Sequence, residues 1–488
     1  MYTSYIGKKF LSIYKERKKL PEDYSARQFF DEVLFPLFFD NEKFFMSVHS
    51  SPFDQLFAES GQKLKTHKKS NPDEVFVPLN KLRKHRLRKL KELHQKIEAG
   101  EVGGNTAVGF YSQDMKATTS GQITSMKNLV TKEEMYASWI GHGLSIRIEG
   151  GLILTDNDLV LWNIFCGWKY YREYLTKTPK IKDKQIEAWN GHWLCHSFEN
   201  QFDLSDAWNE FHIKLNETKS TILKISPLNW IDIIFALARK IPGKSMTLYA
   251  YNLSKTNTNY GFIFLNLPEI KRPIELYNEF YSIPSRTRRK EPFIELYSTF
   301  YNFKNACMLG AIGLKAIEPE RLREFMPKGT TQYSQDKDYK FTNIHLKQKK
   351  NEDIQTFNTR LLKAKRKYNS EIINYRIYKT WIIAMLNNKK ELNALAEQIA
   401  QTLIDFEHQT ESAGTGRGKS TQNRLTEELK SSKSLRDFIE KLTNLMAKYK
   451  EGAIVFKKVK DAAIVLPADL FPLFITLIRF EYQFKKSL

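Results

Sequence analysis

Ala413-Gly-Thr-Gly-Arg-Gly-Lys-Ser420 comes within one residue of a phosphate-binding loop, in which backbone N–H groups and a lysine hold nucleotide phosphates. The motif needs glycine where Ala413 stands, and it must follow a strand and open a helix. The preceding Leu403-Ile-Asp-Phe-Glu-His-Gln409 reads as a polar helix. The stretch is therefore expected to be a basic connector between helices, with Arg417 and Lys419 free to touch phosphates and no nucleotide hydrolysis. His192-Trp-Leu-Cys195-His196 carries metal-capable side chains. A zinc site needs three or four ligands at defined spacing. Spacing fixes neither Cys166 nor His142 as a further ligand, so no metal or other cofactor is expected. A haem attachment would need cysteine where His192 stands. Glu149, Asp156 and Asp158 lie close in sequence, as the Mg²⁺ carboxylates of a nuclease would, yet Thr155-Asp-Asn-Asp158 suits a helix start. Asp336 and Asp338 fall where no strand pattern surrounds them. Catalysis is not excluded by these residues, but no constellation supports it.

Binding chemistry is better represented. The 488 residues carry 77 Lys and Arg against 55 Asp and Glu, a formal charge of +22. Such an excess favours a polyanionic partner, RNA or DNA first and an anionic membrane second. No apolar run reaches about 18 residues, and the first residues lack a signal peptide's apolar segment. Three cysteines make no disulfide framework, so the protein is expected in the cytoplasm.

The most basic part is 61–97. In Lys81-Leu-Arg-Lys-His-Arg-Leu-Arg-Lys-Leu-Lys91 and beyond, Leu87, Leu90, Leu93 and Ile97 share a helix face. Arg83, Lys84, Arg86, Arg88, Lys89 and Lys91 are expected on the outer faces, with only Glu92 and Glu98 near to neutralise them. Between Gly100 and Leu175 lie ten of the 22 glycines. Lys116, Thr119, Ser120, Gly121 and Gln122 within it could grip a nucleic-acid backbone through side chains and exposed N–H groups; equally, the glycines could serve only turns. Arg286, Arg288 and Arg289 form an expected basic loop, and Lys363, Lys365, Arg366 and Lys367 the basic side of a helix.

These residues need elements to hold them. Ser25-Ala-Arg-Gln28 is a capping box before an apolar helix with a kink at Pro36. Leu144, Ile146 and Ile148, a turn at Gly150-Gly151, and Leu152–Leu154 make a hairpin, followed by a helix from Thr155 or Asp156. A helix is expected over 228–241, then paired strands at Met246–Asn252 and Tyr260–Leu267. Tyr249, Tyr251, Tyr260, Phe262 and Phe264 put aromatics on that sheet, able to stack bases but expected to pack against the preceding helix. A further helix is expected over 292–309. Periodicity lapses over 327–350. Helical stripes follow at Ile354/Phe357/Leu361/Leu362, Leu392–Phe406, Leu435–Leu445 and after Asp469, implying a bundle. The expected class is α+β: a mixed glycine- and aromatic-rich region with antiparallel strands (1–326), a basic linker (327–350) and a C-terminal helical bundle (351–488).

This layout, with Ser434-Leu-Arg-Asp-Phe-Ile-Glu440 and Leu477-Ile-Arg-Phe-Glu-Tyr482 in the bundle, resembles the large subunit of type I CRISPR–Cas surveillance (Cascade) complexes. The resemblance implies a non-catalytic part of an antiviral RNA-guided assembly. It would hold guide RNA, read the PAM duplex, contact double- and single-stranded DNA and other Cascade subunits, and recruit a helicase-nuclease. In such assemblies base pairing reads the target and protein reads the flanking motif. A DNA-cleaving, restriction-type defence enzyme and a general RNA-binding factor share the same charge.

Overall fold

The computed structural model describes residues 1–41, 44–47, 52–53, 64–65, 75–76, 79–110, 130–218, 221–241, 243–252, 258–281, 297–324, 346–387, 389–409 and 416–487. The fold is α+β and divides into two compact units. The first holds Met1–Leu267 with Asn302–Ile312, the second Pro268–Tyr301 with Gly313–Leu488.

The first unit opens with α1 (Tyr2–Lys18). At α2 (Ala26–Phe29) the Ser25 hydroxyl accepts from the Gln28 amide while the Gln28 side chain accepts from Ser25 N–H, the reciprocal cap that the spacing requires. The helix then widens into a π turn at Phe30–Leu34 before α3 (Phe35–Phe38). Pro36 cannot donate and crowds the preceding turn, so the chain takes a wider one. Two-residue strands β1 (Leu64–Lys65) and β2 (Val75–Phe76) pair in parallel, and α4 spans Leu79–Glu98.

Helix α5 (Lys132–Gly143) begins at a second capping box, Thr131 with Glu134. It packs on α1 through two glycines. A Cβ at Gly7 would lie 1.8 Å from Ala137 O, and one at Gly141 1.9 Å from Thr3 O. Strands β3 (Ile146–Ile148) and β4 (Gly151–Thr155) form the hairpin, with Ile148 opposite Gly151 and Gly150 at φ +100° in the turn. The helix after it, α6 (Asp158–Lys177), starts two to three residues later than expected because Asn157 is the cap, its side chain accepting from Val160 N–H at 3.2 Å. The unit continues through α7 (Ile186–Ser197), β5 (Leu215–Glu217), β6 (Leu223–Ile225) and α8 (Trp230–Lys240). Strands β7 (Met246–Asn252) and β8 (Thr258–Leu265) pair antiparallel, and β9 (Ala311–Ile312) joins β8 in parallel, giving the sheet order β3-β4-β7-β8-β9.

One face of this sheet, with Ile146, Ile153, Leu248, Ala250, Ile263 and Leu265, is buried; α7 lies against β3 and α8 against α7. On the other face, among the described residues, α1 packs over β4 and reaches Tyr249 of β7 through Tyr2, and Tyr260 of β8 meets Phe303. The helix expected over 292–309 is shorter than its pattern suggested. Among the described residues it is α10 below, since 298–300 runs extended, bridging Thr299 to Pro319, and Asn302 caps the turn by accepting from Asn305 N–H at 2.9 Å.

In the second unit α9 (Leu267–Tyr281) opens at the division; α10 (Phe303–Cys307) belongs to the first. Six helices follow: α11 (Ile354–Met385), α12 (Lys390–His408), α13 (Gly416–Lys430), α14 (Leu435–Lys448), α15 (Ala453–Ile464) and α16 (Phe471–Ser487). The apolar faces of α12 and α16 form the centre, with Leu392, Ile399, Leu403, Phe474, Leu477 and Ile478 buried. Residues 268–281, 297–301 and 313–324 fold with these helices, so the helical unit draws on sequence before 351. The Trp381 indole donates to Leu314 O at 3.0 Å and Lys390 pairs with Glu279 at 2.5 Å. Of the expected linker, 327–345 lies outside the described residues. Only the second half of α11 enters the core: none of 354–374 is buried.

Candidate nucleic-acid interface

The inward seam of α4 is not the one its leucines suggested. Leu93 and Ile97 are buried, but Leu87 is 46% exposed, and Arg86, at 4%, takes the inward place. Positions 86, 90, 93 and 97 lie on one helical face, and the Arg86 stem fills the first of them with its guanidinium 4.7 Å over the Phe45 ring. Arg86 thus belongs to the packing of the helix rather than to an outer cationic surface. Arg83 forms a two-pronged pair with Asp40 (3.1 and 3.0 Å), while Arg88 and Lys89 share Glu92 (3.6 and 2.6 Å). Asp40 is 43 residues away from Arg83 in sequence, so local composition understated the neutralising charge. Glu98 is used elsewhere, between Arg27 and Lys132. Lys84 is exposed.

The cations of α11 stand differently. Asp353 caps the helix by accepting from Thr356 N–H at 2.9 Å. Arg360 closes on Glu352 with bonds of 2.8 and 2.6 Å, holding that carboxyl down at about 2. Beyond this clasp Lys363, Lys365, Arg366 and Lys367 are all exposed. Lys367 lies 3.9 Å from Glu371. Ile354 is 72% and Leu362 51% exposed, so the apolar positions expected to start a bundle helix are outside the core.

Lys116, Thr119, Ser120, Gly121, Gln122, Arg286, Arg288 and Arg289 lie outside the described residues. Arg417 and Lys419 fall in the first turn of α13, their side chains likewise undescribed. Among the described residues the element before this glycine-rich stretch is the helix α12, where a phosphate-binding loop requires a strand. Within the glycine-rich region, Gly141, Gly143 and Gly167 serve close packing. A Cβ on Gly143 would meet Trp168 at 3.0 Å, and one on Gly167 would meet Trp193 at 2.4 Å.

The side chains with chemical potential are engaged in folding. The ring of His192 donates from Nε2 to Ser226 O at 2.8 Å, and that of His196 to Ala207 O at 3.0 Å while stacking on Phe211. Asp158 pairs with Lys9 at 2.9 Å, and Asp156 accepts from the Tyr5 hydroxyl at 3.4 Å. Among the described residues no group of three or more His, Cys, Asp or Glu is arranged to hold a metal ion, and no helix is long and apolar enough to cross a membrane.

Of the sheet aromatics, Tyr251 is buried and Tyr249 and Tyr260 pack on Tyr2 and Phe303, but Phe262 and Phe264 depart from the packing expected of them. Phe262 is 63% and Phe264 49% exposed. Alternation along β8 decides this: Ile263 and Leu265 take the covered face, leaving the two phenylalanines on the other. The same alternation was legible in the sequence, but not which face a helix would cover. Compared with protein-family models, with characterised proteins and with solved structures, the chain matches none.

Proposed function

We propose that this chain is a non-catalytic nucleic-acid-binding protein of the cytoplasm, the large subunit of a type I CRISPR–Cas surveillance complex. In that role it contacts guide RNA and PAM-bearing target DNA beside other Cascade subunits and a recruited helicase-nuclease. The observation that carries the polyanion reading is the array Lys363, Lys365, Arg366 and Lys367 on α11. These four cations sit on a stretch that buries nothing, so folding does not account for them. An exposed run of like charges is ordinarily offset by opposite charges along the helix, and here Glu371 lies 3.9 Å from Lys367. The organisation of the chain and its C-terminal helices support the assignment to the surveillance complex.

The test is binding of the purified chain to labelled single-stranded and duplex DNA across a salt series. Changing the four cations to Ala should weaken binding across all sequences and reduce the salt slope, by about 0.7 to 0.9 for each phosphate no longer neutralised. An unchanged slope refutes the role of α11. RNA of one fixed length co-purifying with the native assembly supports the guide complex over a general RNA-binding factor. Mg²⁺-dependent DNA cleavage that disappears on changing a single Asp or Glu replaces this reading with the restriction-type enzyme.

A further inference from the structure

On the first unit's sheet, the first turn of α1 meets β7 and the edge of β8. That turn brings Tyr2 over Tyr249 (ring centroids 4.6 Å apart) and edge-on to Phe262 (5.2 Å), with Tyr5 beside it at 5.6 Å. Among the described residues, Tyr5 is half exposed and Phe262 and Phe264 are exposed on β8, while Tyr260 of the same strand meets Phe303 at 6.0 Å. Ala311 of β9 lies opposite Phe264 and Thr247 of β7 on its other side, both exposed and too small to cover the ring. Lys244, just before β7, and Lys304, on α10 ahead of β9, are exposed at the rim, while Asp156 marks the Tyr5 end.

We propose that this open face is a stacking platform for unpaired bases of a single nucleic-acid strand, with Phe262 and Phe264 each taking one base. The inference rests on the polyanion reading above and adds a second site to it. Three features select this occupant. The chain's charge of +22 favours a polyanion. Aromatic faces stack on any base, while lysines at the rim meet the phosphates. Alternate residues of a strand stand about 6.8 Å apart, roughly twice the 3.4 Å rise of a duplex strand. Neighbouring bases therefore meet both rings only after they unstack, which duplex DNA does not permit. The β-bulge at Ala250/Tyr251, with Gly261 opposite at φ +90°, sets the aim of the strand next to Phe262.

The experiment measures affinity of the full chain for a thymidine dodecamer and for a blunt duplex by fluorescence anisotropy. The variant Phe262→Ala/Phe264→Ala should lose at least about tenfold for the dodecamer, since stacking on one ring is worth roughly five- to 150-fold. Duplex affinity and the salt slope should stay within about twofold, because the rings carry no charge. Phe262→Trp/Phe264→Trp should restore binding, and Phe262→Leu/Phe264→Leu, which keeps apolar cover over Tyr249, should not. Equal losses for both probes, full binding by the Leu variant, or no loss at all overturns the platform. No loss of binding together with lost self-association assigns the face to a second copy of the chain, and overturns it too. If the unaltered chain binds neither probe, the polyanion reading itself falls; if it binds both and loses salt dependence on changing α11, yet the Phe262→Ala/Phe264→Ala variant keeps its dodecamer affinity, the platform alone falls.

Discussion

Gly141→Ala should be among the most damaging single-methyl changes in the first unit. The new Cβ would stand 1.9 Å from Thr3 O, 2.8 Å from its carbon and 3.0 Å from Gly7 N, whereas ordinary contacts begin near 3.4 Å. Every one of these is a backbone atom of α1, so no rotamer change relieves the clash. The helices must part by about 1.5 Å, and a gap of 0.5–1 Å already forfeits roughly a quarter to a half of the dispersion attraction between facing atoms. Ile6, Phe10, Met135 and Ile140, all fully buried on these two helices, lie where that loss falls. Overpacking commonly costs about 1–3 kcal/mol; with backbone on both sides, about 3–5 kcal/mol is expected. At roughly 2–4 °C per kcal/mol, the melting temperature should drop by about 6–20 °C. Tryptophan fluorescence is a suitable reporter, because seven of the eight tryptophans lie in this unit. Gly104→Ala, where a Cβ meets nothing within 4 Å, is the control and should melt with the unaltered protein. Gly7→Ala should behave like Gly141→Ala, its Cβ meeting Ala137 O at 1.8 Å. Once the helices have parted, the second methyl enters space already opened, so the double variant should cost well below the sum of the singles. A Gly141→Ala protein melting within about 2 °C of the original, or strict additivity, would show that these helices do not depend on glycine for their approach.

Arg86→Ala should destabilise by about 1–2 kcal/mol through lost packing on Phe45, while Leu87→Ala should stay within about 0.5 kcal/mol; the reverse order in thermal melts would return the seam to Leu87. In the second unit Lys379 bonds Glu481 at 2.7 Å and Glu397 at 2.9 Å, and Glu481 also accepts from the Tyr375 hydroxyl at 2.8 Å. Lys379→Met should cost about 3 kcal/mol by stranding the buried carboxylate, and adding Glu481→Leu should recover most of it; amide exchange across Phe471–Ser487 reports both. Burial pushes the Cys307 thiol up to about 12. Only about one molecule in ten thousand then carries the thiolate at pH 8, so a thiol reagent should spare Cys307 until the protein is unfolded. Because its folded value is raised, the stability that comes from burying the neutral thiol is complete below the ordinary range near 9 and is lost as pH rises toward 12. Labelling of native Cys307 at pH 8 at the rate of the unfolded chain would contradict its burial.

What the sequence determined by itself was local. The capping box at Ser25, the hairpin turn at Gly150, the paired strands through 246–252 and 258–265, and the stripes of α12, α14 and α16 were all legible, because each depends on residues within a few positions of one another. The helix α15 was not anticipated, although Phe456, Val459 and Ala463 carry its periodicity. Tertiary structure alone decided which of two adjacent faces turned inward. Arg86 displaced Leu87 because Phe45 offered its ring, and Asp40 reached Arg83 from an earlier helix end. Gly141, read along the chain, could have been a turn or a phosphate-binding position; only the approach of α1 to α5 makes it, with Gly7, a packing position. Alternation along β8 announced two faces, and only the tertiary structure shows Phe262 and Phe264 on the exposed one. A helical stripe at Ile354, Phe357 and Leu361 announced a buried face, yet burial requires a partner, and over the first half of α11 none of the side chains is buried. Periodicity is set by neighbours in sequence, whereas burial and charge pairing are set by whichever distant element arrives, and that arrival is not written within any single stretch.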